Sequence, residues 1–173
     1  PGQARIRVEP DRDIKKDGIM KDVQKVLKKL EYGVYVVTMG KGTEGNAFTA
    51  SWVTQVSSDP PMVAVAVHNA HQSNPLIKKN KAFAINLIGE GQEAVAKTYY
   101  GPAESGYEKL AGTSVTGSPG TKTPLIPGAI GYLDCLLVDS VATGNHTVFI
   151  GKVKAASLDD DVTRLMSTTN SKL

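Results

Sequence analysis

The sequence predicts a mainly β protein, a β-barrel with a few helices. Short β-branched runs recur along the chain. They are punctuated by 17 Gly and 9 Pro in 173 residues, residues that supply turns. The helical stretches are few and do not alternate with strands in a regular βαβ rhythm, which argues against a doubly wound sheet.

The elements follow in order. Residues 1–17 are polar and charged and read as an arm or linker, with one strand at Ala4–Val8. Residues 18–158 form the predicted domain and residues 159–173 a polar tail that frays or packs loosely. Lys15 to Glu31 is helical, because Ile19, Val23, Val26, Leu27 and Leu30 make one apolar stripe with Lys opposite. That helix is expected to pack on the barrel.

Strands are expected at Gly33–Met39, Ala47–Ser57, Met62–His68 and Lys81–Ile88. Gly40-Lys41-Gly42-Thr43 reads as a hairpin turn, since the upstream glycines of a phosphate loop are missing. Ser58-Asp59-Pro60-Pro61 breaks the second strand. Helices are expected at Ser73–Lys79, with Pro75 near its start, and at Gln92–Tyr100. Gly101–Leu110 is a loop and short helix, and Thr113–Pro127 an excursion with little core content. Ala129–Ala142 and Thr147–Ala156 are long strands joined by Thr143-Gly144-Asn145-His146.

Composition bounds the function. A net charge of +3 suits attraction of an anionic nucleotide but not a dedicated nucleic-acid binder. No segment is long and apolar enough for a membrane span, and no signal-peptide layout is present. The single cysteine, Cys135, lies in an apolar run and reads as a buried small hydrophobe. A cytoplasmic location is expected. Ser171-Lys172-Leu173 matches a peroxisomal address, but three residues match by accident. No dinucleotide fingerprint and no nucleophile elbow is present. His68 and His71, with only His146 and Cys135 in reserve, do not assemble a closed four-ligand metal site, so no metal is expected.

Two polar clusters stand out. Asn46, Thr49, Ser51, Thr54, Gln55, Ser57 and Ser58 interrupt strand-like sequence. Such a strand either lines a binding groove or is a solvent edge, and polarity alone leaves both open. His68-Asn69-Ala70-His71-Gln72-Ser73-Asn74 precedes a helix, where hydroxyls and amides make either an anion pocket or an ordinary cap.

Taken in order, these blocks resemble the flavin reductase-like family. Asn46-Ala47-Phe48-Thr49-Ala50-Ser51-Trp52-Val53-Thr54-Gln55-Val56-Ser57-Ser58-Asp59-Pro60-Pro61 is similar to its central signature. Met62–Val67, Ser73 with Leu76–Leu87, Tyr107–Gly112 and Gly144–Val153 are similar to the blocks that follow. The likeness covers roughly residues 30 to 156.

The resemblance implies a Greek-key, FMN-binding split barrel that forms a homodimer with the flavin near the interface. It implies hydride transfer from NADH or NADPH to FMN, with FAD the alternative flavin, and a redox protein or monooxygenase as a candidate partner. By position, Asn46, Ala47, Thr49, Ala50, Ser51 and Trp52 would pass along the isoalloxazine ring. Ser51 and Ser57, with the turn holding Asn69, Gln72 and Ser73, would hold the ribityl chain and phosphate. His146 would approach the nicotinamide as the catalytic-site residue. Two departures matter: Asn145 replaces the usual Asp, and Trp52 is bulky where many relatives are smaller. If Trp52 blocks the nicotinamide, the chain is an FMN-binding electron carrier fed by a partner protein. A non-enzymatic module binding flavin or a pyridoxal-phosphate-type ligand is the third reading.

Overall fold

In the computed structural model, residues 17–42, 45–101, 108–110, 112–159 and 164–169 are described. The expected strand at Ala4–Val8 and the last residues of the tail lie outside them.

Helix α1 (Asp17–Leu27) leads into strands β1 (Tyr35–Met39), β2 (Asn46–Ala50), β3 (Val53–Ser58) and β4 (Pro61–His68). Helix α2 (Ser73–Asn80) precedes β5 (Ala82–Leu87), and helix α3 (Glu93–Thr98) and a 3-10 turn at Glu108–Leu110 follow it. Two short strands, β6 (Thr116–Gly117) and β7 (Pro124–Leu125), and two long ones, β8 (Gly131–Thr143) and β9 (His146–Leu158), complete the order.

Seven strands form one antiparallel sheet in the order β2-β1-β5-β8-β9-β4-β3. Strands β4 and β5, joined through α2, sit on either side of the β8–β9 hairpin, a Greek-key kind of crossover. The outermost strands, β2 and β3, are separated in sequence only by Ser51 and Trp52. Laid flat, seven strands would hold those edges about 29 Å apart. Residues 50 and 53 can be at most about 11 Å apart. The sheet therefore curls into a barrel, split at the 51–52 corner. The Ala66 N–H donates to Trp52 O at 3.0 Å and pins that corner.

Alternation along the strands builds two cores. Val37, Met39, Phe48, Ile85, Phe83 and Phe149 fill the barrel. Val34, Val36, Ala47 and Ile88 face the other way, where Tyr99, Leu110, Ile126 and Met166 cover them. Cys135 is buried in the barrel, as expected, and burial first, then Asp134 beside it, pushes its thiol up to about 12, which makes it an inert packing group.

Four expectations are corrected. The polar strand is not continuous but breaks at Ser51–Trp52, where one sheet edge passes to the other. The expected apolar stripe is not packed on the barrel: Val23, Val26 and Leu27 of α1 and Leu30 beyond its end are all exposed. The excursion does have core content. Ile126 and the hydroxyls of Ser118 and Thr123 are buried, folded around a fully buried Asp134. The carboxylate of Asp134 accepts from Gly120 N–H at 2.8 Å, Thr121 N–H at 3.0 Å and Thr121 Oγ1. Nor is the tail loose where it is described. Met166 is fully buried, its N–H donates to Ile88 O and its carbonyl accepts from Val34 N–H, both at 2.8 Å.

Candidate functional site

A cavity of about 350 Å³ opens beside the split corner. Its floor is apolar, from Phe48, Ala50, Ala66 and Val67. One wall is the corner itself, Ser51 and Trp52. The other is made by His68, His71 and His146, and the rim by Tyr99, Tyr100 and Gly101.

Register explains why the histidines meet. His68 ends β4 and His146 begins β9, and the two residues pair directly across the ladder. Their rings lie edge to face, with centroids 5.1 Å apart. Trp52 packs on His146 from the corner side at 4.8 Å, and His71 packs on Phe48 at 4.9 Å. The hairpin that carries His146 is a two-residue turn with Gly144 at φ 43°, a left-handed angle that such turns require. Asn69 clamps it: the Asn69 N–H donates to Asn145 O at 2.9 Å, its Nδ2 donates to Gly144 O at 3.3 Å, and its Oδ1 accepts from Thr147 Oγ1 at 2.8 Å.

The corner supplies donors. Sheet pairing ends at Ala50 and resumes at Val53. Among the described residues, the N–H groups of Ser51 and Trp52 meet no acceptor, whereas the Ser51 and Trp52 carbonyls accept from Val53 and Ala66. Unpaired N–H groups cost free energy unless water or a ligand takes them.

Among the described residues, none that lines the cavity is acidic. Lys109 lies at the rim. Its ammonium donates to Tyr99 O at 2.9 Å and to Gly101 O. Burial holds its pKa below the ordinary lysine value. Burial, then Lys109, then His68 lower His71. Burial, then His68, lower His146. Both imidazoles are therefore biased toward the neutral form.

Of the site residues read from sequence, Thr49, Ala50, Ser51, Trp52 and His146 line the cavity. Thr49 is committed elsewhere, its N–H to Tyr99 O and its hydroxyl to Ala96 O at 2.5 Å. Asn46, Ala47 and Ser73 are buried behind the wall, where Asn46 Nδ2 donates to Ser73 Oγ at 3.4 Å. Ser57 sits at the far end of β3 opposite Met62, on the order of 15 Å from Trp52 at the rise of a strand. Asn69 and Gln72 do not line the cavity; Asn69 is the clamp just described. His68 ends β4 and His71 lies in the turn before α2, so the two are not on one helix. Tyr99 and Tyr100 were not expected at the site, and Lys109 was expected only as part of the Tyr107–Gly112 block, with no role of its own. The tandem tyrosines just before Gly101 at a helix end were the available signal.

Residues 27–171 match the family described as flavin reductase like domain. The chain belongs to that family. An uncharacterized protein of Pyrococcus abyssi is 33% identical over 129 residues, 73% of this chain and 74% of that protein. The high molecular weight rubredoxin of Moorella thermoacetica is 32% identical over 136 residues, 78% of this chain. This chain spans only 59% of the length of that rubredoxin. Among solved structures, the NADH:FAD oxidoreductase of Streptomyces globisporus C-1027 superposes with a TM-score of 0.76. It is 25% identical, and the alignment covers 96% of this chain and 93% of that one. Family membership carries with it oxidoreductase chemistry between a nicotinamide and a flavin.

Proposed function

We propose that the chain is an NAD(P)H:flavin oxidoreductase that seats FMN at the 51–52 corner, with the nicotinamide arriving on the His146 side. The observation that carries this is the pair of N–H groups of Ser51 and Trp52 that, among the described residues, have no partner at the edge of a cavity with an apolar floor. The residues fit a flavin: an apolar floor for a flat ring, donors for its carbonyl edge, and a cationic rim at Lys109. When bound, the flavin supplies the hydride-accepting centre.

The protein's own work is placement. Ser51 and Trp52 direct fixed N–H dipoles at the ring's polar edge, which needs no reorganisation as charge develops there. Phe48 and Ala50 exclude water beneath it. Trp52 and His146 form the side wall against which a nicotinamide is positioned. No general acid or base is required, in keeping with a cavity in which burial holds His71 and His146 toward the neutral form. FMN is preferred to FAD from the family resemblance. The exposed apolar stripe of α1, with Leu136 and Val138 of β8 also exposed, supports a homodimer.

A second reading, an electron carrier reduced by a partner protein, is favoured by one feature. The Trp52 ring is 49% exposed and leans across His146, where it can narrow the nicotinamide's approach. An anaerobic absorption spectrum with added FMN, before and after NADH and NADPH, separates the two. Prompt bleaching of bound flavin is the expected result. Flavin that resists both nicotinamides yet bleaches with dithionite would establish the carrier. No bound flavin would overturn both.

A further inference from the structure

The three cavity histidines do not present the same face to a ligand. Ala70 N–H donates to His68 Nδ1 at 3.2 Å, and Ser73 N–H donates to His71 Nδ1 at 3.1 Å. A nitrogen that accepts from a backbone amide carries no proton, so the proton of each neutral ring sits on Nε2. His146 is placed the other way. Its Nδ1 lies 2.7 Å from Asn145 Oδ1, an acceptor only, so the contact is a hydrogen bond when Nδ1 carries the proton, which in the neutral ring leaves Nε2 its lone pair. Among the described residues, none of the three Nε2 atoms has a hydrogen-bond partner, and all three rings line the cavity.

We propose that Asn145 is a positioning residue that fixes His146 as the Nδ1–H tautomer, so that the cavity offers one acceptor beside two donors and selects a primary carboxamide over a carboxylate. The inference rests on the nicotinamide reading above for its ligand, but not for its tautomers. A carboxamide has an NH2 to give His146 Nε2 and a carbonyl to take an N–H from His68 or His71. A carboxylate has acceptors only and would set an oxygen lone pair against the His146 Nε2 lone pair. Asn145 is held for this task by the Asn69 clamp on its own carbonyl. The groups packed around His146 are His68, Trp52 and Asn145, none of them an anion that would draw a second proton onto the ring. An aspartate at position 145 would add that anion.

The test reads tautomers directly, by long-range 15N–1H NMR of the imidazoles in the flavin-free protein. Nδ1–H is expected for His146 and Nε2–H for His68 and His71. Asn145→Ala should move His146 alone to the Nε2–H form, the tautomer a free side chain favours in water. The unchanged His68 and His71 signals then report an intact fold. Titrating nicotinamide mononucleotide and nicotinic acid mononucleotide into flavin-loaded protein should show a preference of roughly tenfold for the amide, one hydrogen bond's worth. Asn145→Asp, which favours a doubly protonated His146, should reduce it below about threefold. A His146 that is Nε2–H in the unmodified protein, or that does not change in Asn145→Ala, would overturn the positioning role. Tautomers as assigned with equal affinity for the two rings would overturn carboxamide selection alone. Tautomers as assigned with no binding of either ring would overturn the nicotinamide reading and leave the Asn145 assignment standing.

Discussion

The two flanks of the barrel treat their polar groups in opposite ways. On the flank covered by the 116–126 excursion, buried polar groups are paired. Asn86 Nδ2 donates to Val36 O at 2.9 Å and to Thr38 Oγ1 at 3.1 Å, while its Oδ1 accepts from Ile126 N–H at 2.9 Å. Thr38 Oγ1 donates onward to Pro124 O at 2.5 Å, and Asp134 takes three donors. At the split corner, by contrast, two backbone N–H groups and three imidazole nitrogens have no partner among the described residues. Satisfied groups specify a fold, whereas unpartnered ones beside an apolar cavity are what a ligand completes. The contrast predicts that lesions on the first flank cost stability and lesions on the second cost affinity.

The largest effect belongs to Asp134→Ala. It leaves the Gly120 and Thr121 N–H groups without their acceptor beneath a buried strap. A loss of about 3 kcal/mol in urea unfolding is expected, with flavin affinity unchanged in the fraction that stays folded. An Asp134→Ala protein of normal stability would remove the contrast altogether.

On the other flank, Trp52→Ala should do the reverse. Trp52 is half exposed, so the loss of stability should stay at about 1–2 kcal/mol, below that of Asp134→Ala. Loss of the stacked wall against His146 should raise the KM for NADH several-fold to tenfold, about 1 kcal/mol of lost aromatic contact. Faster reduction by NADH in the variant would instead show Trp52 to be a barrier and favour the electron carrier.

Most of the barrel was legible in the sequence, and the misreadings share one physical cause. Val36, Phe83 and Phe149 announce themselves through β-branched and aromatic runs, because strand formation is local. The break at Ser51–Trp52 carries no Gly or Pro. It exists because β2 and β3 belong to opposite edges of a curled sheet, which is a non-local fact. Asp134 gives no local signal, because the groups that satisfy it come from residues 120 and 121. Met166 looked like part of a polar tail until it closed the second core. In the site, Ser51, Trp52 and His146 were readable through the family resemblance. The tyrosines at 99 and 100 were not, and Lys109, though inside the Tyr107–Gly112 block, carried no role there, because only packing brings these residues to the rim.

The neutral histidines give the cavity flank a pH signature. His71 and His146 are both lowered from 6.5 in the folded chain. The unfolded chain therefore takes up protons first as pH falls, and the contribution of these residues to stability, complete above about pH 6.5, is lost through the range below it. Urea midpoints measured between pH 7.5 and 5 should decline, and His71→Gln should flatten part of the decline. A slope unchanged in that variant would mean that His71 is not held neutral by its burial.

The smallest effects draw the boundary most finely, because two serines of the same sequence block fall on opposite sides of it. Ser51 lines the cavity and its hydroxyl has no partner among the described residues, so Ser51→Ala should leave the urea midpoint in place. It should weaken FMN by about 1 kcal/mol in a fluorescence titration, the scale of one hydrogen bond. Ser73 is fully buried and accepts from Asn46 Nδ2, and next to it Asn74 Nδ2 is already a buried donor without a partner. Ser73→Ala would add a second such donor, so it should cost about 1 kcal/mol of stability and leave FMN affinity nearly unchanged. If Ser73→Ala weakens FMN as much as Ser51→Ala does, the phosphate reaches behind the wall to the start of α2, and the boundary between structural and ligand-facing groups moves inward by that one turn.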